Sequence, residues 1–169
     1  MLDKRIHRLV LAALFAALCT IMTLVIQVPS PMQGYVNLGD CAVLLSAWVL
    51  GPVWGGAAAG IGSMLADLLS GYAHYAPGTL TIKFAMALAA ALMFRSLRRH
   101  SLVLAQAASG TASGLILVGG YFAYANLWLG KGLAAAASIP GNIVQALFGL
   151  IAAVLVYTAL NRGRALSHI

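Results

Sequence analysis

Apolar runs recur along this chain from end to end, separated only by short polar links. Of its 169 residues, 62% are hydrophobic and only 8% charged, and the mean hydropathy is +0.95. Soluble globular domains of this length do not carry such a composition. Hydrocarbon offers no water to backbone N–H and C=O groups, so a spanning segment must satisfy them itself, and helices do so. The expectation is an all-α polytopic membrane protein, a single six-helix domain over residues 1–169. Spans are expected at about 6–27, 39–50, 53–69, 79–94, 102–124 and 139–160. The second is short, because a bilayer core takes about 20 helical residues. Gly51-Pro52 ends it in a tight turn, glycine allowing a reversed backbone and proline lacking the N–H. The run from Leu9 to Val28 has the length of a crossing and no small-x-small cleavage site, so it reads as a retained first helix.

Six spans bring both termini to one side. With the N-terminus inside, Lys4, Arg5, Arg8, Arg95, Arg98, Arg99, Arg162 and Arg164 fall on inner links and tails, and Lys131 alone falls on an outer link. The positive-inside rule then places both termini in the cytoplasm. The net charge of +7 thus belongs to membrane flanks. No aromatic residues interleave a basic stripe, which argues against nucleic acid. Cys19 and Cys41 are too few for a disulfide framework or a zinc site and read as small packing residues. His7, His100 and His168 sit among basic flanks, and no His/Cys/Asp cluster has metal-ligand spacing. GxxxxGK[ST], HExxH and GxSxG are all absent. The chain is expected to be no enzyme and to hold no metal or cofactor. Gly55, Gly56, Gly60, Gly62 and Ser63, then Ser109, Gly110, Ser113 and Gly114, are small residues of the kind that let membrane helices approach closely.

Asp3, Asp40 and Asp67 are the only acidic residues. A carboxylate at membrane depth is expensive and faces protein or a watery cavity. Asp40 opens the second span, Asp67 lies near the end of the third and Lys83 near the start of the fourth, all toward the outer face. Tyr35, Tyr72, Tyr75, Tyr121 and Tyr124 fall near the same level, with Asn37, His74, Asn126 and Trp128. An interfacial aromatic belt and a structural Asp–Lys pair are the bland readings. Two carboxylates against one ammonium leave an excess negative charge, which a pair does not explain. A pocket of carboxylate, amine and aromatic faces suits a small, flat, polar ligand. Trp48, Trp54 and Tyr157, toward the inner side, read as belt residues. Gly71-Tyr72-Ala73-His74-Tyr75-Ala76 is echoed by Gly120-Tyr121-Phe122-Ala123-Tyr124-Ala125.

At Asn37-Leu38-Gly39-Asp40, Gly51-Pro52-Val53-Trp54-Gly55, Ala66-Asp67-Leu68-Leu69-Ser70-Gly71-Tyr72 and Tyr75-Ala76-Pro77-Gly78-Thr79 with Ile82-Lys83, the chain resembles a substrate-binding S component of energy-coupling factor (ECF) vitamin transporters. Riboflavin-type and pyridoxine or hydroxymethylpyrimidine carriers form the branch it is most similar to. The resemblance implies capture of a vitamin from outside, a transmembrane coupling subunit and two ATPase subunits as partners, and residence in a prokaryotic plasma membrane. It implies substrate contacts from Tyr35, Asn37, Asp67, Tyr72, His74, Tyr75, Lys83, Tyr121, Asn142 and Gln145, with Asp40 holding Lys83. It also implies a docking face on the first helix, where Ala12/Ala16 and Ala13/Ala17 match an AxxxA pattern. A carboxylate pairs well with a pyridinium or aminopyrimidine nitrogen, so the expected cargo is vitamin B6 or a hydroxymethylpyrimidine-like compound. Riboflavin, thiamin or a queuosine precursor are the other cargoes. A stand-alone ion-coupled carrier and an intramembrane enzyme using the Asp pair are the readings of other classes.

Overall fold

The computed structural model describes residues 2–30 and 34–163. Pro31, Arg164 and His168 lie outside the described residues, as does the Asp3 side chain. Among the described residues six α-helices make up the fold: α1 (Leu2–Val25), α2 (Gly39–Leu50), α3 (Pro52–Leu69), α4 (Ala76–Leu97), α5 (Leu102–Ala123) and α6 (Ile139–Arg162). Among the described residues, α1, α4, the stretch Leu102–Trp128 and the stretch Gly132–Arg162 are each long and apolar enough to cross a membrane.

The link after α1 differs from the plain loop expected there. It forms an antiparallel ribbon of β1 (Gln27–Ser30) and β2 (Gly34–Asn37), with Gln27 opposite Asn37. Pairing gives the backbone groups of this link partners that a loop would have to find elsewhere. At the far end of the chain, α5 runs on into a π-helical segment, Tyr124–Trp128, and a 3-10 segment, Gly132–Ser138, leads into α6.

With 12 residues, α2 is about 18 Å long, shorter than a bilayer core. It sits instead at the centre. Every residue from Gly39 to Trp48 is buried, and α2 packs on α1, α3, α4 and α6. Its C-terminus is stopped by Gly51, at φ +85°, and Pro52 starts α3 in the first-turn position that needs no N–H donor. Around this helix the outer surfaces of α1, α5 and α6 present exposed apolar side chains such as Leu14, Leu115, Phe148 and Leu155, as lipid-facing surfaces do.

The central place of α2 corrects the belt reading of two aromatics. Trp48 is 5% exposed and Tyr157 6%. Trp48 stacks on Phe94 at 5.3 Å, Tyr157 meets both rings edge-on at 5.5 Å, and the Trp48 indole donates to Ser109 Oγ at 3.0 Å. They form an aromatic core inside the bundle, because α2 is enclosed by its neighbours from Gly39 to Trp48. Cys19 and Cys41 are free thiols and fully buried.

Candidate functional site

The starts of α2, α4 and α6 meet the ends of α3 and α5 and the β-ribbon at one end of the bundle, and the polar residues converge there. Asn37 accepts the Gly39 N–H on its Oδ1 at 2.8 Å, which steers β2 into α2 and puts Asp40 in the first turn. Lys83, on α4, donates to Asp40 Oδ1, and both side chains are almost wholly buried. Gln145, on α6, donates to Asp40 Oδ2 at 2.8 Å and accepts the Asn37 N–H at 2.9 Å. This reach depends on Gly149, one turn along α6. A Cβ there would come within 2.7 Å of Asp40 Cβ, so the missing side chain lets α6 lie against α2. Every strong polar group of the knot therefore has a partner, as a buried pair requires.

The second carboxylate is placed differently. Asp67 is 4% exposed and accepts from Tyr35 OH on Oδ1 at 2.5 Å, while its Oδ2 is buried and makes no hydrogen bond. Among the described residues the sole ion pair is Asp40–Lys83, so Asp67 is the carboxyl group without a cationic partner. Burial, then the neighbouring carboxylate, pushes the Tyr35 phenol well above its ordinary range, so it stays a donor at any physiological pH.

Around Asp67 runs an arc of rings. Tyr35 lies 4.8 Å from Tyr72, Tyr72 6.3 Å from His74, His74 4.8 Å from Tyr75, and Tyr75 6.3 Å from Tyr121. The two echoed segments meet here: Tyr75 and Tyr124 are 6.1 Å apart, and Tyr124 OH donates to the His74 carbonyl at 2.9 Å. Tyr121 joins the arc to the buried knot, with Lys83 Nζ 5.6 Å from its ring centre. Asn142, one turn before Gln145 on α6, is buried at 8% exposure.

Two residues outside the expected set belong to this assembly. Thr79 is 2% exposed, shares a hydrogen bond of 2.9 Å with Tyr121 OH, and precedes Lys83 by one helical turn. That i, i+4 spacing was the signal. Lys131 donates to Tyr75 OH at 3.1 Å and lies over its ring. Its isolation among the outer links was the sequence hint. Trp128 is 76% exposed and stacks on Tyr124 from outside. Among the described residues no group of His, Cys, Asp or Glu has the arrangement of a metal site.

The helix-one alanines divide. Ala12 is buried and Ala16 half-buried on the α3 side, where a Cβ at Gly62 would lie 2.2 Å from the Ala16 carbonyl oxygen, whereas Ala13 and Ala17 are exposed.

The model of the ECF-type riboflavin transporter S-component family matches residues 3–162. The chain belongs to that family. S components are substrate-binding subunits of transporters and not enzymes, and the apolar helices make this one a membrane protein. A Pyrococcus woesei protein described as "Uncharacterized protein in gap 3'region" is 35% identical over 133 residues, covering 78% of this chain and 86% of that one. A solved structure described as the S component of a bacterial ECF transporter superposes with a TM-score of 0.66 at 20% identity, over 94% of this chain and 97% of the other. At that identity the likeness speaks for the fold alone. Six helices with a short central α2 are thus an S-component architecture.

Proposed function

We propose that this S component captures a small, flat, nitrogen-containing vitamin or vitamin precursor at the Asp67 end of the bundle. One observation carries the reading: a buried carboxylate oxygen without a partner, Asp67 Oδ2, beside an arc of tyrosines. An N–H donor of a heterocycle satisfies such an oxygen, and ring stacking supplies area. Tyr35, Tyr72, His74, Tyr75 and Tyr121 offer the faces, Asn142 the further polar contact, and Asn37, Gln145, Lys83 and Asp40 the rigid floor. Vitamin B6 or a hydroxymethylpyrimidine-like compound fits a single carboxylate contact of this kind. Riboflavin is the second reading, supported by the family whose model matches.

Uptake then requires a transmembrane coupling subunit and two ATPase subunits in the plasma membrane, with both termini of this chain cytoplasmic. The exposed Ala13 and Ala17 are the α1 alanines open to the coupling subunit. The deciding experiment is mass spectrometry of the small molecule that co-purifies in detergent, followed by competition with pyridoxine, hydroxymethylpyrimidine and riboflavin. A compound without a planar heterocycle, or none binding at micromolar concentration, overturns the cargo assignment. Uptake that survives removal of all ATPase partners favours the ion-coupled carrier instead.

A further inference from the structure

At the end of the bundle away from Asp40 and Asp67, an open groove of about 1080 Å³ runs between the start of α1, the Gly51-Pro52 turn and the end of α4. Its volume is slightly above the roughly 300–1,000 Å³ of pockets for drug-sized molecules. Lys4, His7 and Arg8 line it from α1 and Arg95 from α4, while Val53 and Trp54 give it an apolar wall. Among the described residues none of these four has a carboxylate at ion-pair distance, the one salt bridge lying at the other end.

Arg95 reaches the turn that closes the groove. Its guanidinium lies over Gly51, where a Cβ would come within 1.9 Å of Nη2. Gly51 takes φ +85°, which glycine adopts without steric cost. The turn thus makes room for the guanidinium. Gathering Lys4, Arg8 and Arg95 around one groove sets like charges against each other, and an anion in their midst relieves that repulsion.

Position narrows the chemistry. The groove lies at the ends of helices long and apolar enough to cross a bilayer, hence at headgroup depth. Val53, in the wall of the groove, is 65% exposed and suits an acyl chain, and Trp54 is an interfacial type of residue. Basic pockets between membrane helices at this depth hold phosphate-bearing headgroups. We infer that the groove is a binding site for the phosphodiester headgroup of an anionic phospholipid. Arg8 and Arg95 hold the phosphate, Lys4 and His7 stand at the rim, and an acyl chain follows the apolar wall at Val53. A free phosphate shares the headgroup's charge and has no chain for the apolar wall.

The test compares the wild-type protein with an Arg8→Gln/Arg95→Gln variant. Both are reconstituted in vesicles of equal parts phosphatidylglycerol and phosphatidylcholine, extracted, and weighed by native mass spectrometry. The wild type should retain phosphatidylglycerol over phosphatidylcholine. The variant should retain at least tenfold less phosphatidylglycerol with unchanged phosphatidylcholine. Equal retention of the two lipids by the wild type, or undiminished phosphatidylglycerol on the variant, overturns the site. Displacement by millimolar inorganic phosphate assigns a free-anion site and overturns the lipid. Undiminished lipid together with loss of the transporter complex assigns the groove to an acidic partner segment and likewise overturns the lipid. If the double variant aggregates, Arg8→Gln alone, exposed on α1, decides by the same readout, with a severalfold loss expected.

Discussion

Two carboxylates of the same type take different roles because their neighbours differ. Asp40 is saturated by Lys83 and Gln145, whereas Asp67 accepts from Tyr35 on Oδ1 and leaves Oδ2 unmatched. Removing one member of a buried pair strands the other. Lys83→Met should therefore lower stability by about 3–5 kcal/mol, and Asp40→Leu/Lys83→Met should recover much of the loss. Unfolding of the purified variants in detergent measures this, and strictly additive losses would mean the pair is not coupled. At the other carboxylate, Asp67→Asn should keep the fold and weaken ligand binding at least tenfold, about 1.4 kcal/mol. Unchanged affinity by calorimetry would remove Asp67 from the site. Tyr35→Phe deletes one donor to the carboxylate and should cost about 1 kcal/mol of affinity or less, a smaller loss than Asp67→Asn and one without pH dependence between pH 6 and 8. Thr79 escaped the sequence reading because a threonine near a helix start is commonplace until Tyr121 is seen opposite it.

At the scale of elements, α1 has two faces with different work. Its Ala12/Ala16 side is pressed on α3 at Gly62, where Thr20 Oγ1 also donates to the Gly62 carbonyl at 2.8 Å. Its Ala13/Ala17 side is open. Ala13→Trp and Ala17→Trp should leave ligand affinity unchanged and abolish uptake by the assembled transporter. Ala16→Trp should instead lower stability, overpacking a helix contact by about 1–3 kcal/mol. Normal uptake by both outward variants would discard the docking face. Both alanine pairs match the same four-residue spacing, so the sequence leaves the choice open. Only the packing of α3 shows which pair is covered. The β-ribbon was likewise hidden, since its residues read as a polar link and its pairing is a backbone property.

At the scale of the whole molecule, the basic groove and the Asp67 site occupy opposite ends of one bundle. Arg95, Arg98 and Arg162 sit at the helix ends on the groove side, while Lys131 lies among the tyrosines. If the positive-inside rule governs, a cysteine placed at Lys131 should react with an impermeant maleimide added to intact cells, and one at Arg162 only after permeabilisation. The reverse pattern would invert the topology and put the Asp67 end inside.

Hydropathy runs along the chain, so helix number and the short α2 are legible without a structure, and the motifs around Asp40, Asp67 and Lys83 point to the family. Contact is a property of distant segments. That Lys83 turns to Asp40 and leaves Asp67 with an open oxygen was settled by how α2, α4 and α6 pack, through a close approach at Gly149 that no local pattern announces. The same holds for Trp48: its type suits a membrane rim, and its burial follows from the enclosure of α2 by four neighbouring helices.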